Sequence, residues 1–279
     1  RRKATEELNN KRSAPFVRRK QKAEIAAKDC AHGKNIKVFA RFLNPDMIPE
    51  NTENLDGIIL PAQYDFPALP ENIIKIADTP RYIRDDEALK TRLSYLKKSG
   101  VDYALCGNSS AVADALAAGM KVIGDIGLNV ANDASAAVFR DMGLSAVTLS
   151  AELTLSDINK VKTELKRGIF AYGRLPLMLT VNCPLKNGRS CAECDKKGFL
   201  TDRMGVNFPV RCRDGYSELY NSAPVYLADR LSEIKGVDYL ILSFTDESRE
   251  ETEKIIKAYK SGGLPAEKFT RGLYFKGVL

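Results

Sequence analysis

Three cysteines stand close together in NCPLKNGRSCAEC, residues 182–194, and a fourth follows in FPVRCRDGY. Cys183, Cys191, Cys194 and Cys212 form a C-x7-C-x2-C-x17-C pattern. The close pair lets one turn present two sulfurs, and the outer two can close a shell around a single centre. Zinc takes four ligands in a tetrahedron, and all-thiolate sets are one of its structural forms. An iron–sulfur cluster also takes four thiolates and tolerates irregular spacing. Spacing alone cannot separate them, though on spacing alone zinc is favoured. In a reducing compartment such clustering argues for metal or redox chemistry over structural disulfides. Cys30 and Cys106 stand apart from the group, and Cys106 ends an apolar strand, where a thiol packs as a small hydrophobe.

Other chemistries are short of parts. His32, in CAHGK, is the only histidine. A Ser–His–Asp triad or a Cys–His pair would have to recruit it from outside the main run of elements. No H-E-x-x-H helix, Walker motif or G-x-G-x-x-G occurs. Gly107 and Asn108, in GNSSAVADALAAG, precede a Ser-started helix; that is either an anion site at a helix N-terminus or an ordinary strand–turn–helix junction.

The elements that must position these groups follow a regular rhythm. Apolar, β-branched runs at 36–42, 55–60, 72–78, 101–107, 121–130, 145–150, 169–173 and 237–245 alternate with amphipathic stretches. Residues 84–100 begin acidic and end Lys-Lys-Ser-Gly, which suits a helix dipole and a glycine cap. Residues 109–119 and 156–168 also begin with Ser, end with Gly and read as helices. Apolar strands alternating with helices predict a parallel sheet covered on both faces. Eight of them predict an α/β fold of the (β/α)8 TIM-barrel type over 36–279. The short gap between the second and third strands keeps an open doubly wound sheet as the alternative. One long excursion, about 174–235, follows the seventh strand and holds all four clustered cysteines. In a barrel this is a β-to-α loop on the C-terminal face, where active sites sit.

Charge is concentrated at one end. Residues 1–30 carry ten Lys or Arg against Glu6, Glu7, Glu24 and Asp29, which is +6 of the chain's formal +7. Residues 1–35 therefore read as a basic helical arm, either a solvated linker or a grip on phosphates. The chain opens on Arg1 rather than Met, which points to a segment of a longer protein with domains before this one. No uncharged apolar run approaches about 18 residues and no secretory signal is present, so the expected setting is cytoplasmic, without membrane contact.

Several segments in order, LSAEL, YGRLPLM, NCPLKNGRSCAEC, LTDRMGVNFPVRC, LYNSAPVYLAD, FTDESREETEKIIKAY and TRGLYFKGV, resemble the collagenase-like peptidase family U32, in particular the end of its long bacterial members. The opening RRKATEELNNKR resembles the end of the middle domain that precedes this region there. The likeness is good over about residues 115–279 and looser before. It implies oxygen-independent hydroxylation of tRNA or ribosomal RNA pyrimidines, or of a quinone precursor. It also implies a [4Fe–4S] cluster on Cys183, Cys191, Cys194 and Cys212, and in the RNA branch prephenate as co-substrate. The C-x2-C pair is tighter than the family's usual spacing, which keeps zinc as the alternative.

An active barrel would work at the C-terminal ends of its strands. Asp125, Asn129 and Asn132 follow the fifth strand, Ser150 and Glu152 the sixth, and Tyr172 and Arg174 end the seventh. Arg174 is the candidate clamp for a prephenate-like dianion. Asp202 and Arg203 lie between the third and fourth cysteines, paired with each other or, for Arg203, near enough in sequence to tune a cluster. Each also has a structural reading, since Asn and Asp cap helices and turns. For RNA, the basic loop residues Lys186, Arg189, Lys196, Lys197, Arg211 and Arg213 would meet phosphates, and Tyr216 and Tyr220 are the nearest stacking platforms for a flipped pyrimidine. The competing functions are a collagenase-like peptidase or its non-catalytic module, and a zinc-stabilised structural barrel.

Overall fold

The computed structural model describes residues 2–13, 29–186, 190–213, 215–264 and 268–277. Among these residues, twelve strands and six α-helices occur in the order α1 (Arg2–Ser13), β1 (Lys37–Arg41), β2 (Gly57–Pro61), β3 (Ile74–Asp78), α2 (Asp86–Lys98), β4 (Tyr103–Cys106), α3 (Ser109–Ala117) and β5 (Lys121–Gly124). Then come α4 (Asp133–Asp141), β6 (Ala146–Thr148), α5 (Leu155–Ile158), β7 (Lys166–Gly173), β8 (Pro176–Thr180), β9 (Lys197–Thr201), β10 (Asn207–Arg213), β11 (Tyr216–Tyr220), β12 (Tyr239–Ser243) and α6 (Arg249–Ser261).

Eight strands close a parallel barrel in the order β1-β12-β7-β6-β5-β4-β3-β2. The barrel expectation holds and the open sheet does not. Where little room separates β2 from β3, a loop makes the connection without a helix. Pairing register sorts the side chains. Lys37↔Tyr239, Phe39↔Gly57, Ile76↔Tyr103, Tyr103↔Lys121, Ile123↔Ala146 and Ala146↔Lys166 are directly paired. Because strand side chains alternate between faces, these residues share the inner face.

The bore is filled by Phe39, Ile59, Ile76, Leu105, Ile123, Tyr239 and Ile241. The alternate residues, among them Val38, Ala40, Ile58, Leu60, Ala104 and Val122, form the larger core beneath the helices. Two glycines make room for the bore's rings. A Cβ on Gly168 would lie 2.2 Å from the Tyr239 ring, and one on Gly57 would lie 3.0 Å from Phe39.

Helix ends follow local chemistry. Asp85 caps α2 by accepting the Ala88 amide at 3.0 Å, and Lys97 and Lys98 complement its far end. Asn132 with Ser135, and Ser248 with Glu251, form capping boxes on α4 and α6. The helix expected over 156–168 is confined to α5, and β7 begins at Lys166. Val161, Thr163 and Leu165 are buried while Lys162 and Glu164 are exposed, a period of two that an extended chain satisfies and a helix cannot.

Arg2–Ser13 of the basic arm is an exposed helix, and residues 14–28 of the arm lie outside the described residues. The chain rejoins the barrel through His32, whose Nδ1 lies 2.7 Å from Asp238 and Nε2 3.1 Å from the Thr163 carbonyl. Both partners immediately precede or lead into strands at the N-terminal face, so the single histidine fastens the arm at the end opposite the cysteines. Among the described residues no helix is long and apolar enough to cross a membrane.

Candidate functional site

The excursion after β7 is an antiparallel sheet of its own, ordered β8-β11-β10-β9. In β10 and β11, Arg211↔Glu218, Cys212↔Ser217 and Arg213↔Tyr216 face each other. Directly paired residues share a face, so one face carries Arg211, Arg213, Tyr216, Glu218 and Tyr220, and the other carries Cys212. The first face lies on the barrel mouth.

There the inner-face residues at the strand ends are charged. Arg41 grips Asp78 with two nitrogens, at 3.0 and 2.7 Å, and Asp125 with a third at 3.1 Å. The insert adds Arg213, 3.5 Å from Asp78 and 3.8 Å from Glu218, and Arg81 reaches Glu218 at 3.3 Å. Tyr220 donates to Glu218 at 2.5 Å. Asp78, Asp125 and Glu218 are each only 2% exposed, and Arg41 is 8% exposed. Buried charges are tolerated only when paired, and here three arginines face three carboxylates. Burial raises the Glu218 pKa, but Arg213, the Tyr220 hydroxyl and the other two arginines outweigh it and leave it below the usual glutamate value. The space left between barrel and insert is about 20 Å³, room for roughly one water.

Cys212 lies on the second face, and the other three clustered cysteines lie in the loop between β8 and β9. Cys183, Cys191 and Cys194 line one cavity of about 230 Å³ with Leu185, Lys186, Asp195 and Lys197. Cys212 joins them through the backbone, since its amide donates to the Lys196 carbonyl at 2.8 Å and the Lys196 amide donates to the Cys194 sulfur at 3.3 Å. Lys196 holds φ +58°, a left-handed conformation costing a non-glycine residue about 1–2 kcal/mol. Such strain persists where the surroundings impose it, and here it folds the Cys194 turn back onto β10. Burial pushes the Cys212 thiol pKa up, and Cys183, Cys191 and Cys194 push it further. Among the described residues no three His, Cys, Asp or Glu side chains are gathered within reach of one ion. The donor set is all thiol, with an amide aimed at one sulfur, which suits a thiolate-bound centre.

The remaining sequence candidates separate. Asp125 and Arg174 both line the small mouth cavity. Arg174 donates to the carbonyls of Asn221 (3.2 Å) and Ser222 and lies 3.7 Å from Asp246, so its guanidinium is occupied within the chain. Asn129 accepts from Ser150 at 2.5 Å, tying two loops, and Glu152 is exposed beside them. Asn132 caps α4. Tyr172 donates to Glu247 at 2.8 Å. Arg203 is exposed on the β9–β10 turn, but Asp202 does not pair with it; it accepts the amides of Met204 (2.8 Å) and Val206 (2.9 Å). Asn108 accepts the Ala111 amide and donates to two carbonyls, the ordinary junction.

Two expectations for RNA are corrected. Tyr216 and Tyr220 are buried at 2% and 6% because β11 turns them toward the barrel with Glu218, so neither offers a ring face to a base. Of the basic loop residues, Arg213 is spent in the mouth network and Arg211 on Asp246. Lys186, Lys196 and Lys197 are exposed around the thiol cavity, and Arg189 lies outside the described residues. Arg41, Asp78, Arg81 and Glu218 were not singled out from sequence. The available signal was a charged residue closing an apolar run, as in KVFAR and IKIAD.

Residues 81–196 match the model of peptidase family U32. The U32 segment runs from Arg81 of the mouth network to Lys196 and includes Cys183, Cys191 and Cys194, while Cys212 lies beyond it. The resemblance is thus borne out over β4–β8 and the start of the thiol loop. The chain is also similar to the solved U32 peptidase Mk0906, at 12% identity and TM-score 0.46, over 84% of this chain and 100% of that one. It is similar to 3-hexulose-6-phosphate synthase from Salmonella typhimurium at 11% identity and TM-score 0.37, over 82% of this chain and 100% of that one. Type I 3-dehydroquinate dehydratase from Clostridium difficile aligns at 11% identity and TM-score 0.41, over 87% of this chain and 99% of that one. No curated protein matches the chain.

Proposed function

We propose that this chain is the cluster-bearing part of a U32-type protein that hydroxylates tRNA or ribosomal RNA pyrimidines, with a [4Fe–4S] cluster held by Cys183, Cys191, Cys194 and Cys212. The observation carrying the reading is the grouping of these thiols beside the insert sheet, with Cys183, Cys191 and Cys194 around a single cavity and Cys212 tied in through Lys196. A single zinc needs its sulfurs within about 2.3 Å of one point, whereas a four-iron cluster spreads its ligands over a wider frame. The choice of the cluster over zinc comes from the family resemblance. When bound, such a cluster supplies one-electron chemistry.

The protein's own groups do the rest. The Lys196 amide donates to the Cys194 sulfur, the interaction by which outer groups tune thiolate ligands. Lys186 and Lys197, exposed at the cavity edge, place positive charge where an RNA phosphate would approach. The paired charges beneath anchor the sheet, so the barrel mouth serves as foundation rather than substrate pocket. Prephenate as co-substrate comes from the family resemblance alone.

The test is iron, zinc and acid-labile sulfide analysis with a visible spectrum on protein purified without oxygen. About four irons and four sulfides per chain are expected, lost together in Cys191→Ser and Cys194→Ser. One zinc in a colourless sample would replace the cluster with a structural clasp. The RNA assignment is tested separately, by mass spectrometry of tRNA and ribosomal RNA from cells lacking the protein. Loss of a hydroxylated pyrimidine is expected; unchanged RNA together with point-mutation-sensitive gelatin cleavage would make the protein a peptidase instead.

A further inference from the structure

The other end of the barrel carries a second cavity, of about 370 Å³, which falls in the range of small-molecule sites. Its walls are inner-face residues at the strand starts. Phe39, Ile74, Tyr103, Ile123, Ala146 and Tyr239 make an apolar floor with three aromatic rings. Lys34, Lys37 and Lys166 stand around the opening, all exposed. Lys121, paired in register with Tyr103, holds its ammonium 5.3 Å from the centre of that ring.

The positive charge here is not balanced from within. The carboxylate lining the cavity is Asp238, already committed to His32 at 2.7 Å, to the Arg167 amide at 3.0 Å and to Lys166 at 3.6 Å. Among the described residues no carboxylate lies within ion-pair distance of Lys34 or Lys37. The N-terminal face of such barrels ordinarily serves stability, for which neither an open apolar floor nor unopposed lysines are needed. Lysine binds carboxylate or sulfonate groups as a mobile point charge, and ring floors take planar bodies.

We propose that the N-terminal end of the barrel binds a small amphipathic anion, a planar aromatic ring bearing one carboxylate. The ring lies on Tyr103 and Tyr239, and the carboxylate meets Lys37 and Lys166. This site is independent of the thiol centre and of the mouth network.

The probe is 2-naphthoate, titrated calorimetrically into the 279-residue protein, with uncharged 2-naphthamide as its control. Naphthoate is expected to bind at least about tenfold more tightly than the amide, a difference of about 1.4 kcal/mol. Lys37→Gln with Lys166→Gln should remove that preference. Ala146→Leu, which fills the floor, should weaken both probes. Circular dichroism melts verify that each variant is folded, and the exposed lysine variants keep the test available if the filled variant is not. Equal affinity for acid and amide, affinity unchanged in the lysine variants, or no saturation by about 10 mM naphthoate would each overturn the proposal.

Discussion

The two ends of one barrel are built from the same strands and treat charge in opposite ways. At the C-terminal end Arg41, Asp78 and Asp125 close β1, β3 and β5, and the insert sheet lays Arg213 and Glu218 over them until each charge has a partner. At the N-terminal end Lys37, Lys121 and Lys166 open β1, β5 and β7, and among the described residues no sheet covers them. The difference shows that inner-face charge is not in itself a sign of a site. Paired and buried, it is cement; exposed around an apolar floor, as at Lys37, it is available for a ligand.

Breaking the cemented end should have the largest effect. Asp78→Ala leaves the Arg41 guanidinium buried beside Asp125 alone and takes a partner from Arg213. Removing one member of a buried ion pair costs about 3–5 kcal/mol. Urea denaturation followed by circular dichroism should show this loss, and a loss under about 1 kcal/mol would mean that the network is not coupled.

A next, smaller effect lies midway along the bore. Gly168→Ala sets a Cβ against the Tyr239 ring, and overpacking of this kind costs about 1–3 kcal/mol. Because Tyr239 also floors the N-terminal cavity, the same variant should disturb naphthoate binding while leaving any metal content found for the proposed thiol site unchanged. A parallel loss of metal would show that the two ends communicate.

Acid sharpens the comparison further. The Glu218 pKa is lower in the folded protein than the ordinary value of 4.5, so its contribution to stability is fully present above pH 4.5. It is lost as pH falls through the folded value, because the unfolded chain takes up the proton first. Stability should therefore decline with acid below 4.5, and Glu218→Gln should flatten the decline while lowering stability at neutral pH.

These contrasts also explain what the sequence made legible. The eight barrel strands read directly because each is a continuous apolar run bounded by turn residues, as in IKVFARF and VDYLILSFT. The thiol group read directly because four cysteines within thirty residues are a local signal. Long-range pairing was not readable. Tyr216 and Tyr220 look like free rings beside basic residues until the register with β10 turns them inward with Glu218. Arg41 and Asp78 are 37 positions apart and become partners only through barrel closure. The stretch VKTEL carries charges that suit either a helix face or an exposed strand edge. Its period of two is decided by what Val161, Thr163 and Leu165 pack against.

The smallest expected effect is the most discriminating. Lys37 has no carboxylate within ion-pair distance among the described residues, and Lys166 meets Asp238 only at 3.6 Å with its own side chain 60% exposed. Exposed pairs of this kind contribute about 0–1 kcal/mol, and an unpaired surface lysine contributes nothing favourable. Lys37→Gln should therefore shift stability by no more than about 0.5 kcal/mol, against several for Asp78→Ala, although both residues sit on the inner face of neighbouring parts of the barrel. Denaturation measured on the two variants side by side decides it. If Lys37→Gln proves as costly as Asp78→Ala, the lysine is held by the fold, and the open end is cement as well. If it is neutral, the fold does not need that charge, and its place above three aromatic rings is explained by what it can hold.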